Sequence, residues 1–161
     1  KDGMFWTTDR DGHVVKKYTP EGELLLTLGE LGEWGDGPDR FNGPTAVVVQ
    51  DNGNIVVAYG YLNSRLVWFT PEGEFIREVG TWGSGPTEIG THHELAQDAQ
   101  GRLLVADLAG GNFHPYMTLP GQIAEHRNKP AEGAKSRIQI LDPDGAYIDE
   151  WTHIMPLSIS V

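Results

Sequence analysis

The chain has no cysteine among its 161 residues, which excludes a disulfide framework, a cysteine nucleophile and a cysteine-ligated zinc ribbon. It has no apolar stretch long enough to cross a membrane. Basic residues are scarce, since 12 Lys and Arg stand against 23 Asp and Glu, and the formal net charge is −11. This balance argues against nucleic acid and anionic membrane surfaces as partners, because both attract basic patches. We interpret the acidity as a contribution to solubility.

Several other signals are also missing. There is no Gly-x-Ser-x-Gly nucleophile elbow and no glycine-rich phosphate loop. The acidic, glycine-rich run 29–39 lacks the alternating ligands and closing glutamate of a helix-loop-helix calcium site, so we predict a connecting loop there. No segment shows a helical period, because apolar residues come in short runs or alternate. These absences favour an all-β protein.

The chain is rich in glycine and proline, with 21 and 10 residues, and these residues recur at turn positions. The string Tyr-Thr-Pro-Glu-Gly-Glu at 18–23 returns as Phe-Thr-Pro-Glu-Gly-Glu at 69–74 and as Leu-Asp-Pro-Asp-Gly-Ala at 141–146. In phase with it, Gly3, Gly53 and Gly101 each precede a strongly apolar run. Repeats built from short strands and glycine-rich turns predict β-propeller blades. The predicted strands lie at 4–8, 13–18, 23–28, 45–50, 54–59, 65–70, 74–80, 92–97, 102–107, 137–142, 146–152 and 157–161.

The repeats divide the chain into successive blades. We predict a partial blade at 1–30, a blade at 43–83, a blade at 91–153 with an inserted loop at 109–135, and the start of another at 155–161. The run 65–69 is apolar at every position after Arg65, which predicts a strand covered on both faces. Such an arc cannot close a ring, so we expect two exposed apolar sheet faces and a segment of a longer protein. A ring built from two chains is the alternative.

The register of these motifs resembles the NHL repeat. The pattern Asp-x-x-Gly-x-Leu-x-Val-Ala-Asp at 98–107 precedes Ser-Arg-Ile-Gln-Ile-Leu-Asp-Pro-Asp-Gly at 136–145, and the second blade carries the same signature at 63–73. The string Gly-Tyr-x-Asn-Ser-Arg at 60–65 resembles the peptidyl-α-hydroxyglycine α-amidating lyase group in particular. This resemblance implies a six-bladed, secreted or periplasmic propeller that cleaves peptidyl-α-hydroxyglycine to a peptide amide and glyoxylate.

The same resemblance implies site residues and cofactors. His93 matches a zinc-binding histidine of the group and Tyr61 matches its catalytic tyrosine, while the other zinc ligands and those of a stabilising calcium ion fall outside this chain. Leu108 departs from the pattern, because an arginine is expected there and leucine cannot stabilise developing negative charge. Further departures occur at Tyr59, Ala46 and His92. Leu108 therefore favours a second interpretation, a non-catalytic propeller that binds a peptide or protein partner.

Both interpretations place a peptide or small-molecule ligand at the mouth of the channel. His93 is alternatively part of a polar loop–strand junction, and Tyr61 alternatively packs on the next blade. Because neighbouring side chains of a strand point to opposite faces, only one of His92 and His93 is expected to face the channel. The inserted loop 109–135 is either a lid over this mouth or a mobile excursion.

Two pairs of equivalent residues are predicted to be structural. Asp9 and Asp107 are each expected to cap their own turn. Arg65 and Arg137 recur from blade to blade, whereas a catalytic site is asymmetric. We therefore expect both arginines to bind carbonyls or carboxylates of the neighbouring blade.

Overall fold

A computed structural model describes residues 3–59, 63–108, 132–156 and 158–161, and this part of the chain contains strands but no helix. Accordingly, none of these residues belongs to a helix that could span a membrane. The strands are β1 (Phe5–Asp9), β2 (Val14–Tyr18), β3 (Leu24–Leu28), β4 (Pro44–Val49), β5 (Ile55–Tyr59), β6 (Arg65–Phe69), β7 (Phe75–Val79), β8 (Thr81–Trp82), β9 (Glu88–Ile89), β10 (Thr91–Gln97), β11 (Leu103–Leu108), β12 (Arg137–Leu141) and β13 (Tyr147–Thr152).

The long strands form three antiparallel sheets in which each strand pairs with the next along the chain. We call them blade A (β1-β2-β3), blade B (β4-β5-β6-β7) and blade C (β10-β11-β12-β13). Strand β4 contacts both β1 and β10, which stacks the blades side by side. Strands β8 and β9 form a small parallel pair in the loop between blades B and C. The prediction of an all-β, partial NHL-type propeller with four-stranded antiparallel blades is confirmed.

The repeated turn has the same backbone conformation in all three blades. Gly22, Gly73 and Gly145 have φ values of 90°, 92° and 90°, in the left-handed region that favours glycine. In each blade a backbone hydrogen bond closes the turn, from Thr19 to Glu23, from Thr70 to Glu74 and from Asp142 to Ala146. The sequence repeat therefore reflects a repeated turn geometry.

Blade B lies between the other two blades, as the pattern of β6 predicts. Leu66 and Trp68 belong to the apolar cluster shared with blade C, whereas Val67 and Phe69 belong to the cluster shared with blade A. All four side chains are at most 2% exposed. A strand that buries both faces needs no alternation of apolar and polar residues.

The Pro-x-Gly turns of blades B and C each dock on the preceding blade. The carbonyl of Pro143 accepts hydrogen bonds from Trp68 Nε1 at 3.0 Å and from Gln50 Nε2 at 2.7 Å, while Arg77 pairs with Asp144. Gly145 packs so closely on Trp68 that a methyl group there would lie 2.8 Å from Cη2. The turn of blade B packs in the same way on Leu26 and Leu28 of blade A, near Gly73. These contacts fix the order and spacing of the blades.

Two expectations about the ends of the arc are corrected. Residues 158–161 form no strand, because no strand of the described part pairs with them. Instead Ile159 packs on the far side of blade C against the buried Leu104 and Ile140, although Trp151 on the same face is 50% exposed. On blade A, by contrast, Phe5 and Leu25 are 60% and 52% exposed. Two exposed apolar faces were expected: the face of blade A is exposed, whereas that of blade C is exposed only in part.

Candidate functional site at the ends of the inner strands

The inner strand of blade C contains a bulge at the predicted zinc ligand. His92 pairs with Asp107 and Glu94 pairs with Ala106, so His93 is the extra residue between them. A bulge bends the strand locally and re-aims a side chain. The strict alternation used to separate His92 from His93 therefore does not hold at this point.

Blade B repeats the same irregularity. Pro44 pairs with Tyr59 and Ala46 pairs with Ala58, so Thr45 is the extra residue. Thr45 and His93 thus occupy equivalent places at the start of the inner strands β4 and β10. Both lie at the end of the blades where β5 and β11 finish.

His92 is completely buried against blade B. Its Nδ1 lies 2.8 Å from Thr45 Oγ1, and the Thr45 hydroxyl donates to the carbonyl of Ala58 at 3.2 Å. His92 Nε2 is also buried and has no hydrogen-bond partner among the described residues. Burial lowers the pKa of His92 to about 3, with a smaller contribution from the nearby His93. The imidazole is therefore neutral at physiological pH.

His93 is half-buried and forms part of the bulge. A catalytic zinc site needs three protein ligands. Residues 3–59, 63–108, 132–156 and 158–161 include no group of three His, Asp or Glu side chains that could hold a metal. This part of the chain therefore contains two adjacent histidines at the bulge but no complete set of metal ligands. The role of His93 as a zinc ligand stays a prediction.

Asp107 joins the start of β10 to the end of β11. Its Oδ1 accepts hydrogen bonds from the amides of Gly90 at 2.8 Å and Thr91 at 3.2 Å, and Oδ2 accepts one from Arg137 Nε at 3.0 Å. The prediction that Asp107 caps its own turn is therefore wrong. For Asp9 it is confirmed, because Asp9 Oδ1 accepts from the Gly12 amide at 2.7 Å. Burial raises the pKa of Asp107 to about 6, although Arg137 acts in the opposite direction.

Arg65 and Arg137 hold the loops that lead into their own blades. Each guanidinium donates to three loop carbonyls and also to a glutamate on the outer strand of its blade. The carbonyls are those of Asp36, Gly37 and Arg40 for Arg65, and those of Ser84, Gly85 and Glu88 for Arg137. The glutamates are Glu78 and Glu150, respectively. A structural role of both arginines is confirmed, but their carboxylate partners lie on the same blade and not on the neighbouring one. Run 29–39 does connect two blades.

Tyr59 occupies in blade B the place that Asp107 occupies in blade C. Its ring lies 4.9 Å from that of Phe41 and 5.3 Å from the Arg65 guanidinium. The hydroxyl is buried without a hydrogen-bond partner in the described part of the chain, and burial raises the pKa of Tyr59 well above its usual value. A phenol cannot reproduce the carboxylate contacts of Asp107.

His13 supplies one of those contacts instead. Its Nδ1 accepts a hydrogen bond from the Gly43 amide at 3.2 Å, and Gly43 is equivalent to Thr91 of blade C. The sequence showed no partner for His13. The signal that could have identified it is the replacement of the repeated aspartate by tyrosine at position 59.

The remaining site residues do not complete a catalytic group. Leu108 is half-buried at the end of β11 and pairs with Thr91. Ala46 lies in the core cluster between blades B and C. Tyr61 and most of the inserted loop, residues 109–131, lie outside the described residues. The roles predicted for Tyr61 and for the loop therefore stay predictions.

Comparison with known proteins agrees with the repeat pattern, although no protein-family model matches the chain. NHL repeat-containing protein 3 of Mus musculus is 33% identical over 152 residues, which are 89% of this chain and 44% of that protein. Peptidyl-alpha-hydroxyglycine alpha-amidating lyase 1 of Drosophila melanogaster is 42% identical over 94 residues, 56% of this chain and 16% of that protein. The chain thus spans less than half the length of either relative.

A solved structure supports the fold. Virginiamycin B lyase from Staphylococcus aureus matches 99% of this chain and 57% of its own chain with a TM-score of 0.52 and 14% identity. At this identity the match concerns the propeller-type fold alone.

Proposed function

Because the chain resembles NHL-repeat proteins and α-amidating lyases, we propose that it belongs to a lyase-like propeller that acts on peptidyl-α-hydroxyglycine. In this reaction the bond between the peptide nitrogen and the hydroxyglycine carbon breaks. The carbon's hydroxyl loses its proton as it becomes the aldehyde of glyoxylate, and the nitrogen gains a proton to give the peptide amide.

The bulge at His93 is the observation that carries the proposal. It puts an imidazole on the inner strand, at the blade end where β5 and β11 finish. In the proposed site His93 is a zinc ligand and Tyr61 is the base, with the remaining zinc ligands and any calcium ligands supplied by other parts of the protein. A bound zinc ion supplies Lewis-acid polarisation of the substrate hydroxyl.

Product analysis tests this proposal. The complete protein is incubated with an acylated peptidyl-α-hydroxyglycine, and glyoxylate and peptide amide are quantified by mass spectrometry beside the zinc content of the protein. We expect equal amounts of both products and at least a ~100-fold loss of rate in His93→Asn, which removes a metal ligand. The exposed His153 provides the control, because His153→Asn is expected to keep full activity. A zinc-free, inactive complete protein would refute the proposal.

Leu108 favours a second candidate, a non-catalytic propeller that binds a peptide or protein partner. Its side chain cannot stabilise negative charge as an arginine would. Calorimetry with the hydroxyglycine peptide, combined with the product assay, separates the two candidates. Binding without glyoxylate release supports the second candidate, and a rate increase in Leu108→Arg supports the first.

A further inference from the structure

His13 joins blade A to the loop that leads into blade B. It ends the turn 10–13 between β1 and β2, and the residue is only 3% exposed. Its Nδ1 accepts a hydrogen bond from the Gly43 amide at 3.2 Å, and the Gly32 amide donates to the Gly12 carbonyl at 3.0 Å. We call this contact between turn 10–13 and loop 29–43 the A–B seam.

The seam is closely packed around His13. A methyl group at Gly29 would lie 2.6 Å from the His13 carbonyl oxygen and 2.8 Å from the Phe41 ring. His13 itself has a φ of 58°, in the left-handed region that histidine, asparagine and aspartate adopt more readily than other side chains. The backbone of turn and loop therefore fixes where the Gly43 amide meets the imidazole.

The equivalent amide of blade C has a different kind of acceptor. The Thr91 amide donates to Oδ1 of Asp107 at 3.2 Å. A carboxyl group keeps an acceptor oxygen after it binds a proton, whereas an imidazole that gains its second proton has two donors and no acceptor. Protonation therefore removes the acceptor at Gly43 but not the acceptor at Thr91.

Burial and the charges of the turn decide how readily His13 binds this proton. Burial is the largest influence and lowers the pKa of His13 below its usual value of 6.5. Asp11 and Asp9 act against burial and favour the charged ring, while Arg10 disfavours it. A proton that binds at Nδ1 would face the N–H of Gly43, so proton uptake and the hydrogen bond exclude each other.

The loop on the other side of the seam has charged side chains of its own. These side chains are Glu30, Glu33, Asp36, Asp39 and Arg40. Arg40 pairs with both glutamates, Asp36 accepts a hydrogen bond from Asn63, and Asp39 is exposed. The contacts between loop and turn given above involve backbone groups and an aromatic ring. The hydrogen bond to His13 is therefore the contact among them that responds to a proton.

We propose that His13 is a pH-sensitive latch of the A–B seam: the neutral imidazole holds the Gly43 amide, and the imidazolium releases it. Gly43 directly precedes β4, so release loosens the start of the inner strand of blade B while the paired strands of both blades stay intact. The start of β4 is equivalent to the segment of blade C that contains His93. The latch is a property of the fold and does not depend on the proposed lyase activity.

Amide hydrogen exchange of the full chain, followed by NMR and corrected for intrinsic exchange rates, tests the latch. The pH is lowered from 8 until long-range ¹H–¹⁵N spectra show that the His13 ring is protonated. We expect the protection of the Gly43 amide to fall at least ~5-fold relative to that of Thr91, which is the effect of losing one hydrogen bond. Global destabilisation would affect both amides alike.

Two results of this experiment would refute the latch. One is a ratio of Gly43 to Thr91 protection that does not change when His13 is protonated. The other is a neutral His13 that carries its proton on Nδ1, since that ring could not accept from Gly43. A ring that stays neutral until the whole protein unfolds would likewise show that the seam does not open separately.

His13→Asn is the matched variant, because asparagine tolerates the left-handed backbone and its Oδ1 occupies the place of Nδ1. This acceptor does not titrate, so we expect a ratio of protection that is independent of pH. His13→Gly keeps the backbone but offers no acceptor, so the ratio should be low at every pH. His153→Asn replaces an exposed histidine with a φ of 64° and should keep the wild-type behaviour. If His13→Asn also keeps it, another group drives the change and the proposal fails.

Discussion

Arg137 donates from Nε to Oδ2 of Asp107 at 3.0 Å, and the two side chains are only 2% and 3% exposed. In blade B the equivalent positions hold Arg65 and Tyr59, and the guanidinium there lies 5.3 Å from the aromatic ring. One backbone arrangement therefore accommodates a buried ion pair in one blade and a cation–π contact in another. Both arginines keep the same set of carbonyl contacts, so the attachment of the loop does not depend on this partner.

Replacing Arg137 should cost more stability than replacing Arg65. Arg137→Gln leaves the buried Asp107 carboxylate without its counter-ion, and we expect a loss of about 3–5 kcal/mol in the free energy of unfolding. Arg65→Gln removes similar carbonyl contacts, but it leaves no buried carboxylate without a counter-ion, because position 59 holds a tyrosine. We therefore expect a smaller loss of about 1–3 kcal/mol in the free energy of unfolding. Urea unfolding at pH 8 measures both. Adding Asp107→Asn should recover part of the loss in Arg137→Gln, and equal losses in the two single variants would contradict this account.

His92 should make the protein less stable in acid. Its folded pKa is about 3, below the usual value of 6.5, so the unfolded state binds a proton that the folded state does not. The stabilisation of the folded state that depends on a neutral His92 is fully present above pH 6.5 and is lost as the pH falls towards 3. We expect His92→Asn to flatten the pH dependence of the free energy of unfolding in that window, measured by urea unfolding. An unchanged slope in His92→Asn would show that the ring is not buried as described.

Asp107 should act in the opposite direction. Burial raises its folded pKa to about 6 from 3.8, so the folded state holds this proton more tightly than the unfolded state. The stabilisation of the folded state that depends on a protonated Asp107 is fully present below pH 3.8 and is lost as the pH rises through 6. Relative to Asp107→Asn, the wild-type protein should lose about 2–3 kcal/mol of unfolding free energy between pH 4 and 7. Unfolding of both proteins across this range checks the sign, and a wild-type gain would reverse the conclusion.

Gly145 and Gly22 offer a matched test of turn docking. Both have a φ of 90°, but a methyl group at Gly145 would lie 2.8 Å from Trp68, whereas nothing lies within 4 Å at Gly22. Gly22→Ala should cost about 1 kcal/mol for the backbone alone. Gly145→Ala should cost a further 1–3 kcal/mol, roughly, because it overpacks the contact between blades B and C. Thermal unfolding compares the two, and equal losses would mean that the turn tolerates displacement from Trp68.

The sequence was sufficient for the repeated parts of the fold. The Pro-x-Gly turns predict the blades because a left-handed backbone position selects glycine locally, without reference to distant residues. The continuous apolar run of β6 predicts burial on both faces, since it reports the environment of each side chain directly. The equivalence of Arg65 and Arg137 indicated a structural role because a catalytic site would not recur in every blade.

The structural features that depend on the pairing register of the strands could not be predicted from the sequence. Asp107 binds amides across the ladder at Gly90 and Thr91, whereas the local turn rule pointed to its own turn. The bulge at His93 arises from the pairing of β10 with β11, which no local pattern specifies. His13 gains its partner Gly43 from the next blade. The predicted strand at 157–161 fails for the described residues 158–161, because a strand requires a neighbour for its hydrogen bonds.

The backward docking of the Pro-x-Gly turns of blades B and C has a consequence for biosynthesis. The turn of blade C rests on Trp68 of blade B, and the turn of blade B rests on Leu26 and Leu28 of blade A, so blades B and C each pack on a surface that was translated before them. A nascent chain leaving the ribosome can therefore seat its blades in the order in which they are made. Lengthening of the propeller by tandem duplication would preserve this arrangement. Each added blade would bring a turn that packs on the preceding blade and a surface on which the turn of the next blade packs.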